Sequence, residues 1–196
     1  AGARHRGKDS DVVEVRGHRS LFRTARTDST GLSHSTFRPT VGLMTNRATF
    51  GIGSRTVKRL GYGAMQLAGP GVLGPPKDRG AAIAVLREAV SRGVDHIDTS
   101  GVYGPHVVNQ LIREALHPYP KDLVIATKVG GKRGPRGSWE PAFSAEEITS
   151  QVHDDLRNLG VDVLEVVYLR VMFDPNAPTE GSIEAPLSVL MKLQRE

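Results

Sequence analysis

The chain has 196 residues, enough for one well-buried domain with an appended segment but cramped for two. It contains no cysteine, which excludes disulfides, zinc–thiolate sites and a cysteine nucleophile, and no apolar run approaches the roughly 20 residues needed to span a bilayer. The net charge of +5 is uneven: residues 1–43 hold eight basic and four acidic side chains, so their surplus of four leaves only +1 for the rest.

That first segment, 1–43, is rich in Arg, Ser, Thr and Gly, poor in apolar residues and without a period of 2 or 3.6. It reads as a disordered basic extension, with Met44 as a natural start for the folded part, residues 44–196. Arg-rich arms can bind nucleic acid through counterion release. This one has no interleaved aromatics, heptads or recognisable module, so no nucleic-acid partner is expected. Its basic start also lacks the apolar core of a secretory signal, and we expect a cytoplasmic protein with no membrane attachment.

From Phe50 the pattern becomes regular. A hairpin is predicted around Gly53-Ser54, followed by a strand over 60–67. Gly61 and Gly63 begin a G-x-G, but Gln66 stands where a dinucleotide fingerprint needs its third glycine, so the Rossmann reading fails. A Gly/Pro loop over 68–76 leads to a helix over 77–92, whose apolar face holds Ala81, Ile83, Ala84, Val85, Leu86 and Val90 and which stops at Gly93. Val94-Asp95-His96-Ile97 reads as a buried strand. It runs into Asp98-Thr99-Ser100-Gly101-Val102-Tyr103-Gly104, a glycine-flanked turn before a helix over 105–116.

A compact apolar strand over 122–128 then ends on Lys128, and residues 129–143 read as a glycine-rich basic loop. Ser144 and Glu147 form a capping-box signature for a helix to Leu159. After Gly160 come a strand over 163–170, a polar loop to Gly181 and a last helix from about Ile183. Strands alternating with helices predict an α/β fold with parallel strands, either an open sheet or about half of a (β/α)8 barrel.

Strand alternation places Val124, Ala126 and Lys128 on one face, as it does His96 with Asp98, and Val166 with Tyr168 and Arg170. Asp98, Lys128 and Arg170 thereby gather at the C-terminal strand ends, where α/β folds keep their chemistry, with Tyr103 on the loop above. A cation beside a phenol favours phenolate and eases proton exchange near neutral pH. The same spacing also fits a structural Lys128–Asp98 ion pair beside an ordinary turn tyrosine. His153-Asp154-Asp155 point in different directions on a helix, so no metal site is expected there, and His96 reads as a hydrogen-bonded core residue.

Leu60-Gly61-Tyr62-Gly63-Ala64-Met65, Asp98-Thr99-Ser100-Gly101-Val102-Tyr103-Gly104, Thr127-Lys128 and Tyr168-Leu169-Arg170 resemble, in order and interval, the motifs of the aldo-keto reductases. The resemblance covers about residues 47–196. It implies a (β/α)8 TIM-barrel fold of which this sequence holds about the first four β/α units, the N-terminal half. It also implies an NADPH-dependent oxidoreductase reducing small-molecule aldehydes or ketones by hydride transfer. Asp98, Tyr103, Lys128 and Arg170 would then be the catalytic residues, with Tyr103 as general acid, Lys128 easing its proton transfer and Asp98 pairing with Lys128. Gly63, Ala64, Met65 and Asp98 would lie against the cofactor. The family's fourth catalytic residue, usually histidine, falls at Arg170, which donates hydrogen bonds but cannot act as a neutral imidazole.

Most of the family's contacts to the cofactor come from the second half of the barrel. Lys132, Arg133 and Arg136 in the loop after Lys128 could meet a phosphate, though a solvated loop is the alternative. The rival to the enzyme reading is an inactive fragment or assembly module that self-associates through an uncovered half-barrel face.

Overall fold

In the parallel strands the β-branched and apolar runs need cover on both faces, and the helices between them supply one of the two. The computed structural model describes Val12–Val13, residues 48–171 and residues 181–196. Apart from Val12–Val13, the predicted disordered extension lies outside the described residues, as does most of the polar loop before Gly181.

Nine strands and four α-helices are described. The main sheet contains β1 (Val12–Val13), β4 (Tyr62–Gly63), β5 (His96–Asp98), β6 (Val124–Val129) and β9 (Val166–Leu169). Its order is β1-β9-β6-β5-β4, with β4, β5, β6 and β9 parallel and β1 antiparallel at the edge beside β9. The intervening helices are α1 (Arg79–Ser91), α2 (Val107–Leu116), α3 (Ala145–Leu159) and α4 (Glu184–Leu193). Two antiparallel hairpins complete the description: β2 (Thr49–Ile52) with β3 (Arg55–Lys58), and β7 (Gly131–Arg133) with β8 (Trp139–Pro141). The parallel β/α order is as expected from sequence.

The core is in two parts. Between sheet and helices lie Ile97, Val108, Leu111, Ile112, Ile148, Leu159, Val167 and Leu169, all essentially inaccessible. On the opposite face, Val124, Ala126 and Val166 pack with Val57 of β3, so the first hairpin closes that face at the N-terminal end of the strands. The hairpin is held there by polar contacts as well. Arg55 donates from Nε and Nη2 to the two Glu165 carboxylate oxygens at 2.8 Å each, and the Lys58 amide donates to the Asp95 carboxylate.

Several boundaries differ from the expected ones. The strand predicted over 60–67 is only Tyr62–Gly63, because Ala64–Leu67 turns into a 3-10 helix that buries Ala64 and Leu67. In α1 the inward residues are Ala82 and Leu86, whereas Val85 is 40% exposed. Residues 129–143 are not simply a loop, since they contain the β7–β8 hairpin. The capping box of α3 is present as predicted: Ser144 Oγ accepts from the Glu147 amide and Glu147 Oε2 from the Ser144 amide. No helix among the described residues is long and apolar enough to cross a membrane.

Candidate active site

Parallel register decides which side chains meet. Asp98 pairs with Ala126, so Lys128 stands two residues further along the same face and its side chain reaches back over the sheet. Its Nζ ion-pairs with Asp98 Oδ1 and donates to the Thr99 carbonyl at 2.9 Å. Lys128 and Tyr168 are themselves register partners, which brings Arg170, just past β9, alongside.

Tyr103 sits above this group on the loop after β5. The loop is shaped by a turn from the Tyr103 amide to the Ser100 carbonyl and by Gly104 at φ +76°. A Cβ at Gly104 would lie 2.8 Å from the Gly74 carbonyl oxygen and from Val107 Cβ, so both conformation and space require glycine. The Tyr103 ring is 4% exposed, with Lys128 Nζ 5.3 Å from its centroid. Arg170 Nη2 donates to the phenol oxygen at 3.4 Å. All four residues singled out in the sequence therefore converge.

The residues singled out for a cofactor are less uniform. Gly63 is the register partner of Asp98, and a Cβ built on it would meet nothing within 4 Å, so the strand end opens onto free space beside the Lys128–Asp98 pair. Met65 is partly exposed there. Ala64 is fully buried in the helix-side core, which leaves only its main chain to face a ligand.

Sequence reasoning missed Trp139 and gave Arg133 only as one of three loop cations that could meet a phosphate. Trp139 and Arg133 are partners across the β7–β8 hairpin, and the Arg133 guanidinium lies 3.5 Å from the centre of the indole. Arg170 approaches the same indole at 5.1 Å. Arg133 is pinned by carbonyls of two loops, those of Val72 at 3.0 Å and Gly137 at 2.8 Å among them. Burial, and then the neighbouring Arg170 charge, hold its affinity for the proton below that of an ordinary arginine. Lys132 instead turns outward to Glu147 at 2.6 Å.

Behind the site a buried polar chain ties the two loops together. Thr99 Oγ1 donates to Asn109 Oδ1 at 2.7 Å, Asn109 Nδ2 to Asp155 Oδ1 at 2.8 Å, and Thr127 Oγ1 to Asp155 Oδ2 at 2.5 Å. Burial pushes the Asp155 carboxyl up to about 7, against the pull of the Thr127 and Asn109 hydrogen bonds. A Cβ at Gly101 would come within 2.6 Å of Asp155 Oδ1, which explains the small residue in this turn. Asp155 is thus internal, and no group of three or more metal-ligating side chains occurs among the described residues.

Comparison with known proteins gives the family. Residues 59–196 match the model of the Aldo/keto reductase family. The chain belongs to that family. Aldo-keto reductases act on small-molecule carbonyl substrates and generally use a nicotinamide cofactor, and the parallel β/α order of this chain is that of their TIM-barrel type of fold. Among relatives, pyridoxine 4-dehydrogenase of Escherichia coli strain K12 is 64% identical over 149 residues, which are 76% of this chain and 52% of that protein. An oxidoreductase of Schizosaccharomyces pombe, C215.11c, is 38% identical over 130 residues, 66% of this chain and 42% of that protein. The chain thus spans about half the length of the curated relatives it matches.

Solved aldo-keto reductases share the fold. The holo form of a Bacillus halodurans member superposes with a TM-score of 0.60 at 25% identity, covering 75% of this chain and 46% of that one. The glycerol dehydrogenase of Gluconobacter oxydans gives 0.61 at 23% identity, covering 76% and 45%.

Proposed function

We propose that this chain carries the proton-transfer site of an NADPH-dependent aldo-keto reductase acting at the 4-position of pyridoxine and its aldehyde. The observation that carries the reading is the placement of the Tyr103 phenol between the Asp98-held Lys128 and Arg170. The substrate rests on the 64% identity to pyridoxine 4-dehydrogenase.

Gly63 opens onto free space beside its register partner Asp98, and Met65 is exposed. Those residues would hold the nicotinamide end of NADPH, which would supply the hydride when bound. Tyr103 gives its proton to the substrate carbonyl oxygen. Lys128 stabilises the phenolate left behind, and its two fixed contacts, to Asp98 and the Thr99 carbonyl, keep the ammonium aimed at the ring. Arg170 donates to the phenol oxygen, leaving the phenol hydrogen directed at substrate. In alcohol oxidation the same groups act in reverse, Tyr103 accepting the proton.

The test is Tyr103→Phe. Pyridoxal reduction, followed by loss of reduced-nicotinamide absorbance, should fall by about 10² to 10⁴, the range for removing a positioned acid, with the circular dichroism spectrum unchanged. Full activity in this variant would overturn the reading.

A further inference from the structure

Among the described residues the charge around Tyr103 is unbalanced. Lys128 is neutralised by Asp98, but neither Arg133 nor Arg170 has a carboxylate within ion-pairing distance among the described residues. Arg133 spends its donors on main-chain carbonyls: Val102 at 3.3 Å, Gly137 at 2.8 Å, Gly71 at 3.2 Å and Val72 at 3.0 Å. Its charge stays in place, and the nearby Arg170 charge adds to burial in weakening its hold on the proton. Two partly desolvated like charges are costly unless an anion joins them.

Arg170 is the one positioned to receive it. Its planar fork carries five N–H donors, of which Nη2 reaches the Tyr103 oxygen, and the guanidinium carbon is 5.9 Å from the centre of that ring and 5.1 Å from the centre of the Trp139 indole. A guanidinium recognises two neighbouring oxygens better than one.

We propose that Arg170, with the Arg133 charge behind it, forms a subsite for an ionised oxygen beside the reacting carbonyl, selecting planar aldehydes that carry an ortho phenolate over neutral ones. The inference rests on Tyr103 addressing the carbonyl, as argued above, and goes further by assigning the neighbouring oxygen to Arg170. The pyridoxine skeleton has this arrangement, its 3-hydroxyl standing next to the carbon at position 4.

Trp139 is the sole tryptophan of the chain and lies against both arginines, so its fluorescence reads this subsite without any turnover. The experiment titrates the protein with 2-hydroxybenzaldehyde, at a pH where the phenol is ionised, and with 2-fluorobenzaldehyde, whose ortho atom is close in size to the oxygen but carries no charge. The hydroxy compound should bind at least about tenfold tighter, as for a charge-assisted hydrogen bond. Arg170→Gln should reduce the difference to about twofold or less, Arg170→Lys should keep part of it, and Lys132→Gln should leave it intact. Equal binding of the two aldehydes, binding of neither, or a preference that survives Arg170→Gln would overturn the proposal. A parallel turnover assay separates the two readings. Equal reduction of both aldehydes, lost in Tyr103→Phe, would keep the redox reading and remove this one; selective binding without turnover would do the reverse.

Discussion

Arg170 Nη2 and the Tyr103 phenol oxygen are 3.4 Å apart, although 67 residues separate them in the chain. The contact puts a permanently charged donor where a titratable imidazole is usual in the family, so the donor does not switch off as pH rises. Replacing it by Arg170→His should make reduction pH-dependent in a way the native protein is not. The imidazolium would donate at low pH, and the rate should fall as pH rises through about 6.5, the ordinary histidine range. Pyridoxal reduction by the native and variant proteins across pH 5.5 to 8, compared as kcat/KM, checks this; parallel profiles would show that Arg170 plays no part at the phenol.

Asp155 gives a second pH effect, this time on stability. Its carboxyl is raised from 3.8 to about 7 in the folded protein, so between those values the folded state holds a proton that the unfolded state has lost. The contribution is therefore fully present below about pH 4 and is lost as pH rises through about 7. The expected slope within that window is at most about 1.4 kcal/mol per pH unit. Asp155→Asn, which keeps the shape and cannot ionise, should flatten the dependence. Denaturant midpoints at pH 5 and pH 7.5 measure it, and an equal drop in both proteins would assign the slope elsewhere.

This buried chain also marks where sequence reasoning stopped. Alternation along β5 and β6 was enough to put Asp98 and Lys128 on one face, because a period of two depends on the strand alone. Asn109 and Asp155 look like solvent-facing polar residues on α2 and α3. They are buried only because each finds the other, with Thr99 and Thr127, across the helix–sheet packing, a pairwise property that no single-helix period displays. Trp139 was hidden for a related reason. Its hairpin has strands of three residues inside a Gly/Pro-rich stretch, too short for alternation to register, and Arg133 becomes its neighbour only through cross-strand pairing. The capping box of α3, by contrast, is local and was readable from Ser144 and Glu147 directly.

That cap supports a third prediction. Ser144→Ala removes the acceptor for the Glu147 amide and should destabilise the protein by about 1 kcal/mol. Glu147→Gln keeps a side chain able to accept from the Ser144 amide and gives up the ionic contact with Lys132, an exposed pair, so its effect should be much smaller. Urea midpoints of the two variants decide the matter; a larger loss from Glu147→Gln would mean that the link from α3 to β7, not the cap, is what matters.

The first hairpin makes the last case. Val57 is 1% exposed and is the hairpin residue in the small core formed with Val124, Ala126 and Val166, the strand residues that lie on the same face as Lys128 and Arg170. Shortening it leaves a void at the foot of the strands whose far ends carry the site. Val57→Ala should cost about 2 kcal/mol, in the range for removing two buried methyl groups, whereas Thr56→Ala on the exposed face should cost little. Because the ion pair between Arg55 and Glu165 and the main-chain contact from Lys58 to Asp95 still hold the hairpin in place, the loss should appear in the unfolding midpoint while the Trp139 fluorescence of the folded protein stays unchanged. A shift in that fluorescence would show instead that the hairpin sets the geometry at the opposite end of the sheet.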